Sequence, residues 1–426
     1  MKAIELKKKI SENGYRSIFA TLYGEENLEV AKARYIKAVD EFEKEFGEGR
    51  ELELFSVAGR SEISGNHTEH NHGKVIAASI DLDIIAVASK RDDMQINIKS
   101  EGFPIDKVDV TSPEPDEKNF FKSYSIISGM ARGFLNNGYN IGGYDAYTTS
   151  NVFKGSGLSS SAAFEDMVGN ILNYFYNDGK VENPEIAKIA QYAENVFFGK
   201  PCGLMDQTAC AVGGFVAIDF KDPKNPVIEK LDFDLTGAGY SLCIVNTGGN
   251  HADLNDDYAS VPAEMKAVAA YFGKEVLRDV CEDDIIAAIP ALREKVGDRA
   301  IMRALHFKEE NKRVTYQTEA LRKNDIETFF KGVHESGNSS FKYLQNVYTT
   351  KNVSEQGLSL ALCLAEKVLK GREAAWRVHG GGFAGTIQAF IKNEDIPEFT
   401  KVLDGAFGKG ATTVLKVRPY GAIKIS

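Results

Sequence analysis

Hydrophobic and polar positions alternate between two periods along this chain. Residues 1–47 are charged and helical in pattern, with the apolar residues of 31–46 gathered on one side. Residues 51–57 alternate as a strand ending at Ala58-Gly59-Arg60, and 75–88 form a strongly apolar run that predicts a second strand. Residues 119–137 place Phe120, Tyr124, Ile127 and Met130 or Ala131 on one helical face. A strand over 143–150 follows, then a helix over 162–176 with Val168, Ile171, Leu172 and Phe175 at helical spacing. Further on, the pattern predicts a helix over 184–198, strands over 215–220 and 241–246, and a mostly helical stretch over 250–272. Residues 282–347 read as a charged, bundle-like helical segment with solvated outer faces. Asp, Pro and Lys dominate 221–231, which puts a domain boundary near 240 and divides the chain into 1–240 and 241–426.

Stretches without a period carry the candidate chemistry. Residues 61–73 are a dense polar loop between two strands, where a binding site is expected. His67, Glu69, His70 and His72 lie in it, but nothing in their spacing fixes a metal-ligand geometry. Gly155 and Gly157 precede Ser159, Ser160 and Ser161 at a helix start. This pattern suits a phosphate cradle, because glycines allow close backbone approach and a helix start attracts anions. It equally suits a Gly-Ser loop ending in a serine cap. Asp206, between Leu204-Met205 and the small residues of 208–212, is either a helix cap or a carboxylate placed to act as a base. Gly380 to Gly385 spells G-x-G-x-x-G, yet the β-branched stretch after it is strand-like, so the dinucleotide reading fails. No G-x-x-x-x-G-K-[ST] occurs.

Composition narrows the partners. A chain of 426 residues with 43% hydrophobic and 26% charged positions is expected to be a soluble globular protein of two to three domains. A net charge of −10 argues against a nucleic-acid partner. The five cysteines are scattered without a Cys-x-x-Cys and read as reduced core residues. The charged start has no apolar core behind it, and no run approaches the ~18 apolar residues of a membrane span. The expectation is a cytoplasmic protein with no membrane partner, a monomer or weak homo-oligomer.

Four ordered motifs carry a family resemblance. Gly155-Ser156-Gly157-Leu158-Ser159-Ser160-Ser161-Ala162-Ala163, Pro201-Cys202-Gly203-Leu204-Met205-Asp206-Gln207 and Gly380-Gly381-Gly382-Phe383-Ala384-Gly385 resemble the GHMP small-molecule kinases. Residues 59–73 are similar to the galactokinase pattern G-R-x-N-[L]-x-G-E-H-x-D-Y-N-x-G, and the likeness runs on through Arg303-Ala304-Leu305-His306 and Tyr420-Gly421-Ala422. The resemblance implies an α+β fold with a ribosomal-protein-S5-like N-terminal domain and a ferredoxin-like C-terminal one, ATP and a sugar lying between them. It implies Asp206 as the base for the sugar O1 and Arg60 as its cationic partner. Gly155, Ser156, Gly157, Leu158, Ser159 and Ser160 match the phosphate loop, and Ser161 and Glu194 the Mg²⁺ ligands. Asn66, His67, Glu69, Gly203, Asp206 and Tyr258 fall at sugar-contacting positions.

The sugar end departs from that pattern. Asn66 stands for Glu, Glu69 for Asp, His70 for Tyr and Glu62 for Asn, while Ala384 replaces a Gly of the last motif. Glu69 keeps its charge and reaches one methylene further. Asn66 replaces a negative charge beside C6 by an amide that donates as well as accepts, so a C6 carboxylate is no longer repelled. The resemblance thus implies an ATP- and Mg²⁺-dependent galactose 1-kinase, with a galacturonate or other sugar 1-kinase as one alternative. A sugar sensor that no longer transfers phosphate is another, although Arg60, Ser161, Glu194 and Asp206 are all present.

Overall fold

The computed structural model describes residues 1–152, 157–249 and 254–426. Among these, twelve strands form two sheets. They are β1 (Glu53–Ser64), β2 (Lys74–Lys90), β3 (Gln95–Ser100), β4 (Ile105–Asp109), β5 (Tyr144–Ser150), β6 (Phe215–Asp219), β7 (Val227–Leu231), β8 (Tyr240–Asn246), β9 (Ala375–Val378), β10 (Thr386–Lys392), β11 (Thr412–Leu415) and β12 (Ala422–Lys424). The first sheet has the order β12-β1-β2-β5-β3-β4, with β6 and then β7 attached beside the first half of β2. The second has the order β11-β8-β10-β9. Every pairing is antiparallel except β3 with β5.

The apolar run behind β2 has a direct cause. Ile84, Ala86 and Ala88 point into a core formed with the helices Ser123–Asn136, Ser160–Tyr176 and Asn183–Tyr192. Ile85 and Val87 alternate with them and meet Tyr35, Phe42 and Leu54 beneath the N-terminal helices. A strand covered on both faces loses its polar alternation.

The same burial hides the true length of β1. Leu54 to Ser64 are all buried, so the strand continues through Arg60 and Glu62 where the sequence suggested a loop. Register shifts at Ala58/Arg60 and Glu62/Ser64 interrupt its pairing with β2. Such bulges bend a strand and re-aim its side chains, which suits a strand carrying polar residues into a site.

The charged segment after 282 also differs from its reading. In the helix Asp298–Arg322, Arg303, His306, Glu310, Arg313 and Gln317 are buried, not solvated. Arg313 pairs with Glu310 at 2.7 Å and Arg303 with Glu264 at 2.9 Å, so the charges enter the interior in partnership. The second sheet begins at Tyr240, but β12, assigned from sequence to the C-terminal half, pairs with β1. No helix among the described residues is long and apolar enough to cross a membrane.

Candidate functional site

Arg60 lies just past the first bulge of β1. Gly59 makes this possible, because a Cβ there would stand 2.9 Å from the Leu158 carbonyl. The guanidinium donates to both carboxylate oxygens of Asp206, from Nε at 2.8 Å and from Nη2 at 2.6 Å, and its Nη1 donates to the Gly157 carbonyl. Asp206 lies in the first turn of the helix Met205–Val212 and also accepts from the Ser159 hydroxyl. Burial by itself would raise the Asp206 carboxyl, but the guanidinium outweighs it and holds the carboxyl below its ordinary value. Asp206 therefore stands ionised against a bidentate cation, the strongest of the common polar pairings.

Ser159 occupies the left-handed region at φ 57° and precedes the helix Ser160–Tyr176. Leu158 is buried, Gly157 has φ +72°, and Ser161 is exposed at the helix start. Gly155 and Ser156 lie outside the described residues. Glu194, in the turn of wide helix Ala193–Phe198, is buried and accepts from Lys200 Nζ at 3.0 Å and from Gln207 Nε2 at 2.9 Å. Gln207 Nε2 also reaches Glu165 at 3.0 Å. Burial, then the neighbouring charges of Glu194 and Asp206, push the Glu165 carboxyl up to about 8. Among the described residues no three His, Cys, Asp or Glu side chains cluster to hold a metal on their own.

A cavity of about 160 Å³ opens beside Met205, the neighbour of Asp206. Glu62, Gly65, His67, Thr68, Glu69, His70, Val75, Met205 and Gly381 line it. The space admits a small polar ligand and several waters. Glu69 Oε1 accepts from the backbone N–H groups of Leu204 and Met205. Burial pushes its carboxyl up to about 7 despite those donors. Gly203 leaves room for this carboxyl, since a Cβ there would come within 2.3 Å of it. His67 Nε2 sits 2.8 Å from the Gly381 carbonyl, and burial keeps the ring neutral by lowering its pKa. His70 is pushed down to about 3 by burial, and its buried Nε2 has no hydrogen-bond partner among the described residues.

Two of the anticipated sugar contacts are engaged elsewhere. Asn66 is fully buried, and its amide is saturated by protein. Nδ2 donates to Glu62 Oε1 at 2.9 Å and to the Gly380 carbonyl at 2.7 Å, while Oδ1 accepts from Ser340 at 3.2 Å and Asn346 at 2.8 Å. The Tyr258 hydroxyl donates to the Gly382 carbonyl at 2.8 Å, and its ring packs so closely that a Cβ on Gly381 would lie 2.2 Å away.

Sequence reasoning missed the shell that holds this loop. Glu310 Oε1 accepts from the backbone N–H of Gly65 at 3.2 Å and of Asn66 at 3.3 Å, and from the Ser336 hydroxyl at 2.6 Å. His306 Nε2 sits 3.0 Å from the Asn66 carbonyl. Arg377, fully buried on β9, donates to the Ile63 carbonyl at 3.1 Å and to Glu62 Oε1 at 3.0 Å. Their wide spacing in sequence hides them. Glu310 sits among Glu309, Asn311 and Lys312, so its charge gives no sign of burial, and His306 is signalled only by the likeness of residues 303–306.

The comparisons agree with this architecture. The family model of the GHMP kinases N-terminal domain matches residues 125–214, and that of the galactokinase galactose-binding signature matches residues 40–90. A galactokinase of Lactococcus lactis, solved in complex with galactose, superposes with a TM-score of 0.75 at 23% identity over 92% of this chain and 99% of that one. The mevalonate kinase of Methanococcus jannaschii superposes at 0.59 with 15% identity, over 87% of this chain and 98% of that one. The fold is thus that of the GHMP kinases. Among curated relatives, the galactokinase of Glaesserella parasuis is 30% identical over 85% of this chain and 91% of its own length. That of Clostridium tetani is 28% identical over 87% and 91%. The chain belongs to the galactokinase family and is a sugar kinase.

Proposed function

We propose that the protein transfers the γ-phosphoryl group of ATP to the C1 hydroxyl of α-D-galactose, giving galactose 1-phosphate and ADP. The observation that carries this reading is the Arg60–Asp206 pair near a small cavity lined by Glu62, His67 and Glu69. Its relatives, named as galactokinases, support the choice of sugar. Asp206 takes the proton of the C1 hydroxyl as the new O–P bond forms and the bond to ADP breaks. The Ser159 hydroxyl, now on Asp206, gives way to the incoming hydroxyl. Arg60 keeps the carboxylate charged and faces the transferring group, so catalysis rests on positioning and charge stabilisation.

Gly155 to Ser160 would wrap the ATP phosphates. Ser161 and Glu194 suit Mg²⁺ in donor chemistry, both offering hard oxygens. The crowding of Glu165 and Glu194 marks a place that favours added positive charge. The ion would neutralise phosphate charge on ATP. Lys200 Nζ lies 3.0 Å from the same Glu194 carboxylate. His67, Glu69 and Gly203 would contact the sugar, with the two sheets marking the two domains that enclose it.

The test is ADP release by the purified protein with ATP, Mg²⁺ and a panel of galactose, galacturonate, N-acetylgalactosamine, glucose and arabinose. Galactose is expected to be turned over fastest. Silence across the panel with ATP still bound would favour a sensor.

A further inference from the structure

Glu62 is the residue that the departures at the sugar end leave unexplained. The family pattern quoted above carries Asn at this position and Glu four residues later, whereas this chain carries Glu62 and Asn66. The two side chains touch, Asn66 Nδ2 donating to Glu62 Oε1 at 2.9 Å. One carboxylate and one amide are therefore present in either order, and in this chain they touch across the second bulge of β1.

Their surroundings assign them different tasks. Every donor and acceptor of the Asn66 side chain is used within the protein, so it has nothing left for a ligand. Glu62 lines the cavity. Its Oε1 is fixed from two sides, by Asn66 and by Arg377 at 3.0 Å. Arg377 is itself immobilised, with Nε on the Val378 carbonyl at 2.9 Å and Nη1 on the Ile63 carbonyl at 3.1 Å. Glu62 Oε2 has no partner among the described residues. A carboxylate held by one oxygen presents the other as a pre-aimed acceptor.

We infer that Glu62 is a sugar-reading residue of this chain, its Oε2 accepting a hydroxyl hydrogen of the substrate, and that the Glu62/Asn66 exchange keeps the cavity selective for neutral sugars. This rests on the sugar-kinase reading of the site. Arg377 and Asn66 are positioning residues that aim Glu62. With Glu62 and Glu69 both in the wall, the cavity holds two carboxylates, and a uronate would bring a third against them. The negative charge that Asn66 appeared to remove is supplied from β1. On this account galacturonate is excluded.

The experiment compares wild type, Glu62→Gln and the double variant Glu62→Asn/Asn66→Glu. Galactose and galacturonate are the ligands, read by calorimetric binding and by ADP release, with melting temperature as the control for folding. Wild type is expected to bind galactose and not galacturonate. Glu62→Gln is expected to weaken galactose binding about tenfold or more, the loss of a hydrogen bond to a charged acceptor, with kcat within about threefold of wild type. The same variant is expected to narrow the gap between galactose and galacturonate. The double variant, which restores the family order, is expected to recover galactose affinity to within about threefold. Wild-type preference for galacturonate overturns the inference. So does a folded Glu62→Gln variant whose affinity and discrimination are unchanged. Galactose binding without turnover by wild type would defeat the kinase reading alone, and Glu62 would still be judged from the binding data.

Discussion

Arg60 meets Asp206 side on, with Nε and Nη2 at 2.8 and 2.6 Å from the two carboxylate oxygens. This fork sets both the charge and the orientation of the proposed base. Asp206→Asn removes the proton acceptor and is expected to lower kcat by at least about a hundredfold, with ATP affinity nearly unchanged. Arg60→Lys keeps a charge but not the fork, so it is expected to lower kcat and to move the acid limb of the pH–rate profile upward. ADP release across pH, with ATP binding by calorimetry, checks both. Substantial turnover by Asp206→Asn would mean that another group is the base.

Glu69 gives the sugar site a pH response near neutrality. Its carboxyl is pushed up to about 7 from an ordinary 4.5, chiefly by burial. A folded-state value above the unfolded one means that its contribution to stability is full below about 4.5 and is lost as pH rises through about 7. The ionised form is the better acceptor for a sugar hydroxyl, so KM for the sugar is expected to fall as pH rises through that value. In Glu69→Gln the transition should vanish from the KM profile.

Gly203→Ala separates affinity from stability. The new methyl group would lie within 2.3 Å of the Glu69 carboxyl, which is the free end of a flexible side chain and can move. The melting temperature is expected to change little, while KM for the sugar rises as Glu69 leaves its place. A large loss of stability with unchanged KM would contradict this geometry.

Glu310 is the buried anchor of the sugar loop. Burial opposes its charge, but Arg313, His306 and Arg377 hold the carboxyl down to about 2. Its stabilising effect is therefore present above the ordinary value of 4.5 and is lost as pH falls through about 2. Glu310→Ala strands Arg313 and two backbone N–H groups, and is expected to cost about 3–5 kcal/mol in chemical denaturation.

Lys200 and Mg²⁺ are expected to compete for Glu194. The Lys200 side chain is 55% exposed, and its ammonium lies 3.0 Å from the carboxylate. Removing it in Lys200→Ala is expected to lower the half-saturating Mg²⁺ concentration by up to about fivefold, as befits a partly exposed pair. Chelation by EDTA is expected to stop ADP release in both proteins. A raised Mg²⁺ requirement in the variant would assign Lys200 to the phosphates instead.

The helices and strands around the site were legible in the chain because each is an apolar run or a helical period with few polar interruptions. The helix Ser160–Tyr176 and the strands β2, β5, β6, β8 and β10 all follow that rule. The second half of β1 did not, because its buried positions include polar residues such as Glu62, neutralised by partners more than 300 residues away. The motifs around Arg60, Ser159 and Asp206 pointed to chemistry only through their order and family likeness, since glycines and hydroxyls beside a helix start suit a serine cap equally well. Asn66 and Tyr258 show the limit. Residue type marked them as polar, but only three-dimensional neighbours reveal that their hydrogen bonds are spent inside the protein.

β12 has a consequence for how the chain reaches this state. It covers the outer edge of β1, and Arg418 just before it is buried against Asp83 at 3.1 Å and Ser56 at 2.9 Å. A ribosome delivers residues 53–231 long before residues 418–424. Until the latter arrive, the edge of β1 is an unpaired template and Asp83 lacks one of its cations. The nascent first sheet is thus open along the strand that bears Arg60 and Glu62, and synthesis of the opposite end of the chain closes it.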